Sequence, residues 1–334
     1  MPPRRRLLQW LGALSATALP LAAPPALAAT PYAPAADWPR KPVRLVVTFP
    51  PGGASDTVAR LLAPLMSRQL GQPVVVDNRP GAGSTLGALA VARSAADGHT
   101  LLVSHSAALS ISPHLLEQPP YDPVHSFTHL GYIGAVPTVV VARNGLPVHD
   151  FAQMLQWLRD QPQPVPYGSG GAASVGHLVG ELLARQQDLR LSHVPYRGAG
   201  PMRSDLLAGH IPLAVDALPQ NLALARQGRL RLLAVTSTRR VPQAPEVPSV
   251  VELGLPQLVA DNFVGLSAPA GLAEPVARRL EQALQAALAD AGVQQTLVAQ
   301  GFVRQPMDRH GFARLVQQQS QSWAGVARAT GATL

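Results

Sequence analysis

The stretch VRLVVTFPPGGASD, from Val43 to Asp56, constrains what this chain can fold into more than any other. Val43–Val47 is short, apolar and β-branched, the composition of a strand buried on both faces. Pro50-Pro51-Gly52-Gly53 lets neither strand nor helix continue. Ser55 or Asp56 is then placed to cap a helix whose apolar stripe is Val58, Leu61, Leu62, Leu65 and Met66. A strand, a glycine turn and a helix start aim unpaired backbone N–H groups at an anion. The same succession returns at Val165–His177, VPYGSGGAASVGH. Two such cradles predict a ligand that carries carboxylates and is held from two sides.

The remaining chain alternates strand-like and helix-like pieces. Further strands are expected at Pro73–Asp77, Thr100–Ser104, Leu130–Gly134, Thr138–Ala142, Leu191–Pro195, Ile211–Val215, Leu230–Thr236 and Phe263–Ala268. Helices are expected at Asp56–Leu70, with Pro64 as a kink or break, and from the glycine-rich Arg79–Gly87 through Ala96. Others are expected at Ser110–Leu116, Phe151–Asp160, Val175–Arg185, Arg197–Ala208 and Asn221–Arg226. Two more close the chain, Glu274–Ala291 and Phe312–Ala329. This alternation predicts mostly parallel sheets covered by helices on both faces, with enough units for two sheets. Ligands of such sheets bind beyond the carboxyl ends of the strands, where both glycine loops lie.

Several function classes drop out. A net charge of +8 suggests nucleic acid, but Arg4, Arg5 and Arg6 lie in an N-terminal leader and the other arginines are scattered. Aromatic residues, at 4%, are too few for base-stacking platforms, so no nucleic-acid partner is expected. With no cysteine there is no disulfide, zinc thiolate, iron–sulfur cluster or cysteine nucleophile. Gly81-x-Gly83-x-x-x-Gly87 resembles a dinucleotide fingerprint, but Asp77–Pro80 separates it from its strand. No Gly-Lys-Ser/Thr P-loop ending and no Gly-x-Ser-x-Gly elbow occurs. A hydrolase built on Ser169 and His177 lacks an evident group to orient the base. No enzyme, cofactor or metal site is expected.

Arg4-Arg5-Arg6, the Leu/Ala-rich Leu7–Leu27 and the small-x-small Ala26-Leu27-Ala28 read as a signal peptide over residues 1–28. Pro20, Pro24 and Pro25 interrupt it too often for a permanent membrane span. Residues 29–37 form a Pro/Ala tether, and the adjacent arginines loosely resemble a twin-arginine signal.

Several long stretches carry a resemblance. They are WPRKPVRLVVTFPPGGASDTVAR (38–60), VVVDNRPGAGSTLGALAVARSAADGHTLL (74–102) and YDPVHSF (121–127). They continue with YGSGGAASVGHLVGELL (167–183), HVPYRGAGPMRSDLLAGHIPLAVDALP (193–219), GRLRLLAVTSTRRVPQAPEVPSVVELGLP (228–256) and GLSAPAG (265–271). In this order they resemble the Bug family, the extracytoplasmic solute receptors of tripartite tricarboxylate transporters. The resemblance implies an α/β protein of the type II periplasmic-binding-protein (Venus flytrap) fold, two α/β lobes with mixed, mostly parallel sheets joined by two crossover segments. It implies one lobe over 38–137 and 265–334, another over 138–264, and crossovers near Pro137–Val141 and Asp261–Gly265. It also implies a periplasmic monomer that closes on a small organic carboxylate: a di- or tricarboxylate, an acidic amino acid or an aromatic acid. The partner would be a membrane permease of the tripartite tricarboxylate type, or a sensor kinase.

Candidate site residues follow the loops. The first cradle offers Pro51, the backbone of Gly52, Gly53 and Ala54, and the Ser55 hydroxyl. Asp56 would repel an anion and is expected to cap the helix or orient a water. The second cradle offers Gly168, Ser169, Gly171 and Ser174, with Ala172 in its variable part, and by resemblance it grips one carboxylate. His177 reads either as a ligand contact or as a packing residue. Ser106, Ala107 and Asp216 follow strands and should reach the same cleft. Tyr196, with Arg197 beside it, is a candidate anion clamp.

Overall fold

The computed structural model describes residues 37–305 and 307–330. The expected leader, and the tether apart from Asp37, lie outside the described residues. Nine strands are described: β1 (Val43–Val47), β2 (Val74–Asn78), β3 (Thr100–His105), β4 (Phe127–Arg143), β5 (Val165–Ser169), β6 (Leu191–Pro195), β7 (Leu213–Ala217), β8 (Leu230–Val235) and β9 (Asp261–Pro269). The α-helices are α1 (Ala54–Leu70), α2 (Thr85–Ala92), α3 (Phe151–Arg159), α4 (Val175–Gln186), α5 (Ala199–Ala208), α6 (Leu218–Arg226), α7 (Glu274–Ala289), α8 (Ala291–Ala299) and α9 (Arg309–Thr330).

Two sheet halves share one long strand. The order is β2-β1-β3-β9-β4-β7-β5-β6, with β8 also on β4. Phe127–Pro137 of β4 pairs antiparallel with β9, and from Thr138 the same strand pairs with β7 and β8. Pro137 has no N–H to give, which suits the point where one ladder ends. Away from this seam the pairs β1–β2, β1–β3, β5–β6 and β5–β7 are parallel. Leu130–Gly134 and Thr138–Ala142, expected as separate strands, are therefore one strand that changes partners.

Strand alternation explains the layered core. Val43, Leu45 and Val47 pack under α1 and α7, whereas Val46 points the other way toward Leu102 and Phe312. In the second half Val140 and Ala142 face one cluster, and Val139 and Val141 face the other. A strand apolar at every position is what a sheet covered on both faces needs.

α1 starts earlier than expected, with Gly53 as its N-cap and Ser55 and Asp56 already inside the first turn. It also runs through Pro64, which sits on the exposed face, where water can take the carbonyl that the ring frees. Gly71, at φ 71° and ψ 11°, closes it in the left-handed region. α2 stops at Ala92 rather than Ala96, and α8 fills a stretch for which the sequence analysis names no element. Phe312 and Val316 of α9 pack with Val46, Leu102 and Phe263, while Trp323 and Ala327 belong to the cluster that holds Val140 and Leu178. The stretch 265–334, expected in the first lobe, thus sends the end of α9 into a cluster that also holds residues of the second half. α9 has 22 residues, about 33 Å of helix, and its apolar stripe reaches both halves.

The start of α4 packs directly on β7: a Cβ at Gly176 would lie 2.0 Å from the Val215 carbonyl oxygen. Gly176→Ala is expected to cost about 1–3 kcal/mol in urea denaturation, because main chain must move. Gly200→Ala, with nothing within 4 Å, should be neutral or slightly stabilising.

Candidate functional site

A cavity of about 310 Å³ opens between the sheet halves, walled by the beginnings of four helices. Gly53–Ser55 start α1, Ser174–Gly176 start α4, Gly198–Pro201 start α5, and Ala217 with Gln220 belongs to the start of α6. Each helix start carries about half a positive charge. Three of the four, α1, α5 and α6, have no side-chain cap. α4 alone is capped, by the Ser174 hydroxyl accepting from the His177 N–H at 3.1 Å.

The first loop is held by its own carboxylate. Gly52, at φ +88°, turns the chain where a side chain would be strained. Its N–H donates to Asp56 Oδ2 at 2.9 Å, so this amide is spent inside the loop. Arg60 Nε donates to both Asp56 oxygens at 3.1 and 3.0 Å, and Asn78 Nδ2 donates to Asp56 Oδ1 at 2.9 Å. Asn78 Nδ2 also donates to the Phe49 carbonyl at 3.0 Å, closing the belt. Burial pushes the Asp56 carboxyl up, but the bonds from Arg60, Gly52 and Asn78 outweigh it and hold the group below its usual range. Asp56 is buried and off the cavity wall: it neither caps α1 nor faces the ligand space, and its work is bracing.

The second loop uses its hydroxyl inward. Ser169 is fully buried; its Oγ donates to the Gly171 carbonyl at 3.0 Å and accepts from Gly171 N–H and Ser174 Oγ. It is also hydrogen-bonded to His193 Nε2 at 2.7 Å. His193 stacks on His177 with centroids 3.9 Å apart. Burial, with His177 alongside, pushes the His193 imidazole down to about 3, which keeps it neutral. His177 is buried too, and its Nδ1 accepts from the Ala173 N–H at 3.2 Å. Ser169 and His177 both hydrogen-bond within the protein and neither lines the cavity, which for His177 is the packing alternative of the sequence reading.

Other expected residues divide the same way. Pro51, Gly52, Gly53, Ala54, Ser55, Ser174 and Asp216 line the cavity. Gly171, Ala172 and Tyr196 line an adjoining pocket instead. Gly168 stays in the β5 ladder, where a Cβ would meet Ile211 Cδ1 at 2.5 Å. Ser106 and Ala107 do not reach the cavity. β9 is antiparallel to β3 and runs past its end, so Ser106 Oγ donates to the Asp261 carbonyl at 3.1 Å and accepts from the Phe263 N–H at 2.9 Å. Asn262, on that covering strand, reaches the cavity in their place, and its Oδ1 has no partner among the described residues.

Asp216 is both wall and brace. Its Oδ2 accepts from Arg203 Nη1 at 3.3 Å and from Asn221 Nδ2 at 2.9 Å. Burial pushes its carboxyl up, with Arg203 and Asn221 pulling against it. Arg203 was not singled out from the sequence, and it is occupied by Asp216. Arg197 lines the cavity and makes no hydrogen bond or ion pair among the described residues. The start of α5 was also missed as part of the site, though Arg197-Gly198-Ala199-Gly200 repeats the glycine-before-helix signal.

Solved structures that share this two-lobed α/β frame are periplasmic solute-binding proteins, among them the periplasmic binding protein BugD, which aligns at TM-score 0.82 and 32% identity over 89% of this chain and 99% of BugD. Residues 58–332 match the model of the tripartite tricarboxylate transporter family receptor, and the chain belongs to that family. BugT of Bordetella pertussis is 36% identical over 301 residues, 89% of this chain and 91% of BugT. MatC from Rhodopseudomonas palustris with bound malate aligns at TM-score 0.81 and 32% identity over 86% of this chain and 99% of MatC. A second R. palustris protein, solved with adipate, aligns at TM-score 0.84 and 31% identity over 89% of this chain and 100% of that one.

Asp56→Asn removes charge-assisted bonds and should cost about 2 kcal/mol at neutral pH. The folded carboxyl titrates below its ordinary value of about 3.9, so this contribution is complete above about pH 5 and is lost as pH falls through the depressed folded value. Urea denaturation of both proteins from pH 7 down to about pH 2.5 should show the gap closing; a gap unchanged over that range contradicts the bracing role.

Proposed function

We propose that this chain captures a small organic carboxylate in the cavity between its sheet halves and delivers it to a membrane permease of the tripartite tricarboxylate type. One observation carries the reading: α1, α5 and α6 begin on the same cavity with no side chain closing their first turns. Unpaired N–H groups and helix dipoles favour an anion there, and a carboxylate has the lone pairs to bond several at once. Relatives solved with malate and adipate support the same chemistry.

Main-chain donors do most of the gripping in this reading, with Arg197 as the lining cation that has no partner among the described residues; Arg203 is already paired and Lys41 is the chain's only lysine. Closure brings the lobes together about β4 and β9 near 137–141 and 261–265. Pro50 and Gly198, from opposite sides, already approach each other: a Cβ at Gly198 would lie 3.7 Å from Pro50 Cγ. The protein works as an exported monomer in the periplasm, its residues 1–28 serving as the signal peptide.

The test is a thermal-shift screen of the purified protein against di- and tricarboxylates, acidic amino acids and aromatic acids. A true ligand at a hundredfold over its Kd adds about 2.7 kcal/mol of stability. Ala54→Pro removes one N–H at the first helical position, where proline fits and Gly53 is already extended at φ −83° and ψ 172°. It should keep the fold and lower the affinity about tenfold or more by calorimetry. Undiminished affinity in Ala54→Pro rejects main-chain gripping.

A further inference from the structure

A second pocket of about 380 Å³ adjoins the first, and the two share Phe49, Pro50, Gly170, Arg197 and Gly198 as a common neck. Its chemistry differs from that of the first. Phe49, Pro50, Pro80 and the ring of Tyr196 give it apolar walls, and glycines with Ala172 leave those walls flat. Its polar side chains are already engaged. Thr48 Oγ1 is 2.5 Å from His105 Nε2, Ser84 Oγ donates to the Thr48 carbonyl at 3.4 Å, and the Tyr196 hydroxyl donates to Asp205 Oδ2 at 2.7 Å. Arg197, at the neck, is its one charged lining residue.

The wall opposite Ala172 is a loop kept in a costly shape. Ala82 and Ser84 sit at φ 45° and 80°, the left-handed region that non-glycine residues avoid. The Ser112 hydroxyl pins it by donating to the Gly83 carbonyl. Packing fixes it as well, since a Cβ at Gly87 would lie 2.7 Å from the Arg79 carbonyl oxygen. A strained loop held from behind gives the pocket a fixed, open shape.

From these observations we infer that the ligand is bipartite: a carboxylate head at the helix starts, and an apolar body, ring-sized or a chain of several methylenes, lying in the second pocket. The inference rests on the carboxylate reading above and narrows it. A second carboxylate in this pocket would lose its water against Phe49, Pro50, Pro80 and the Tyr196 ring, with only the glycine-loop main chain and Arg197 at the neck to replace it. An apolar body loses nothing there and gains burial, each buried methylene being worth about fourfold in affinity.

The test is calorimetry with acetate, propanoate, hexanoate, benzoate and adipate on the purified protein and on two variants, Ala172→Phe and Ala82→Phe. Ala172 and Ala82 line the second pocket and not the first. Hexanoate or benzoate should bind at least tenfold tighter than propanoate, and tighter than adipate. Phe at either position should pull the long-to-short affinity ratio toward one. That ratio is insensitive to a general loss of folded protein. Equal affinity for short and long acids, a ratio unmoved by both variants, or adipate tighter than hexanoate overturns the inference while leaving the carboxylate head in place. No binding of any acid sinks the underlying reading instead.

Discussion

Three helices begin on one cavity with no side chain to close their first turns, and the rest of the site is arranged around that deficit. Lacking a capping side chain forgoes about 1 kcal/mol where the N-cap is alanine, as at Ala217 of α6, and only about a few tenths where it is glycine, as at Gly53 and Gly198. Among the described helices α2 and α7 also start without a side-chain cap, and what sets α1, α5 and α6 apart is that they start on one cavity. The contrast with α4 is informative, because Ser174 does cap it and Ser169 is tied up beneath it. Of the polar side chains around the site, Ser55, Ser174 and Asp216 line the cavity, while others face inward and hold the backbone in position. Asp56, Ser169 and His177 each take up a loop amide, from Gly52, Gly171 and Ala173, and His193 backs Ser169, so these side chains fix the shape of the loops.

The frame places those helix starts opposite each other because one strand belongs to both sheet halves. β4 leaves β9 at Pro137 and continues against β7 and β8, which puts the α1 loop on one side and the starts of α4, α5 and α6 on the other. β9 returns along the same seam and delivers Asn262 to the cavity wall. α9 ties the arrangement from behind, with Phe312 in one core and Trp323 in another. In the proposed closure, this helix and the two seam strands are the elements that must bend or slide.

Much of this was legible from residues alone. Val43–Val47 and the Pro-Pro-Gly-Gly turn predicted β1, the turn and α1, since an apolar β-branched run and a helix-breaking turn leave few alternatives. Leu191–Pro195 matched β6 residue for residue. What escaped was set by tertiary context. Whether Ser169 faces a ligand or a histidine 24 residues away in sequence depends on β6 lying beside β5. Ser106 spends its hydroxyl on β9 rather than on the cavity, and nothing local says that an antiparallel strand will run past the end of β3. Asp56 carried the right suspicion, a carboxylate in the wrong place for an anion, but its partner Asn78 comes from a neighbouring strand. α8 buries only Val293 and Leu297, too short an apolar pattern to announce a helix.

Amide NMR during a carboxylate titration tests the central claim most directly. The account predicts that the N–H signals of Ala54 and Ser55 in α1 and of Ala199 and Gly200 in α5 move downfield together, with one common Kd, as the anion takes up their hydrogen bonds. Saturable binding that left these amides unmoved, or that shifted only one side of the cavity, would contradict it.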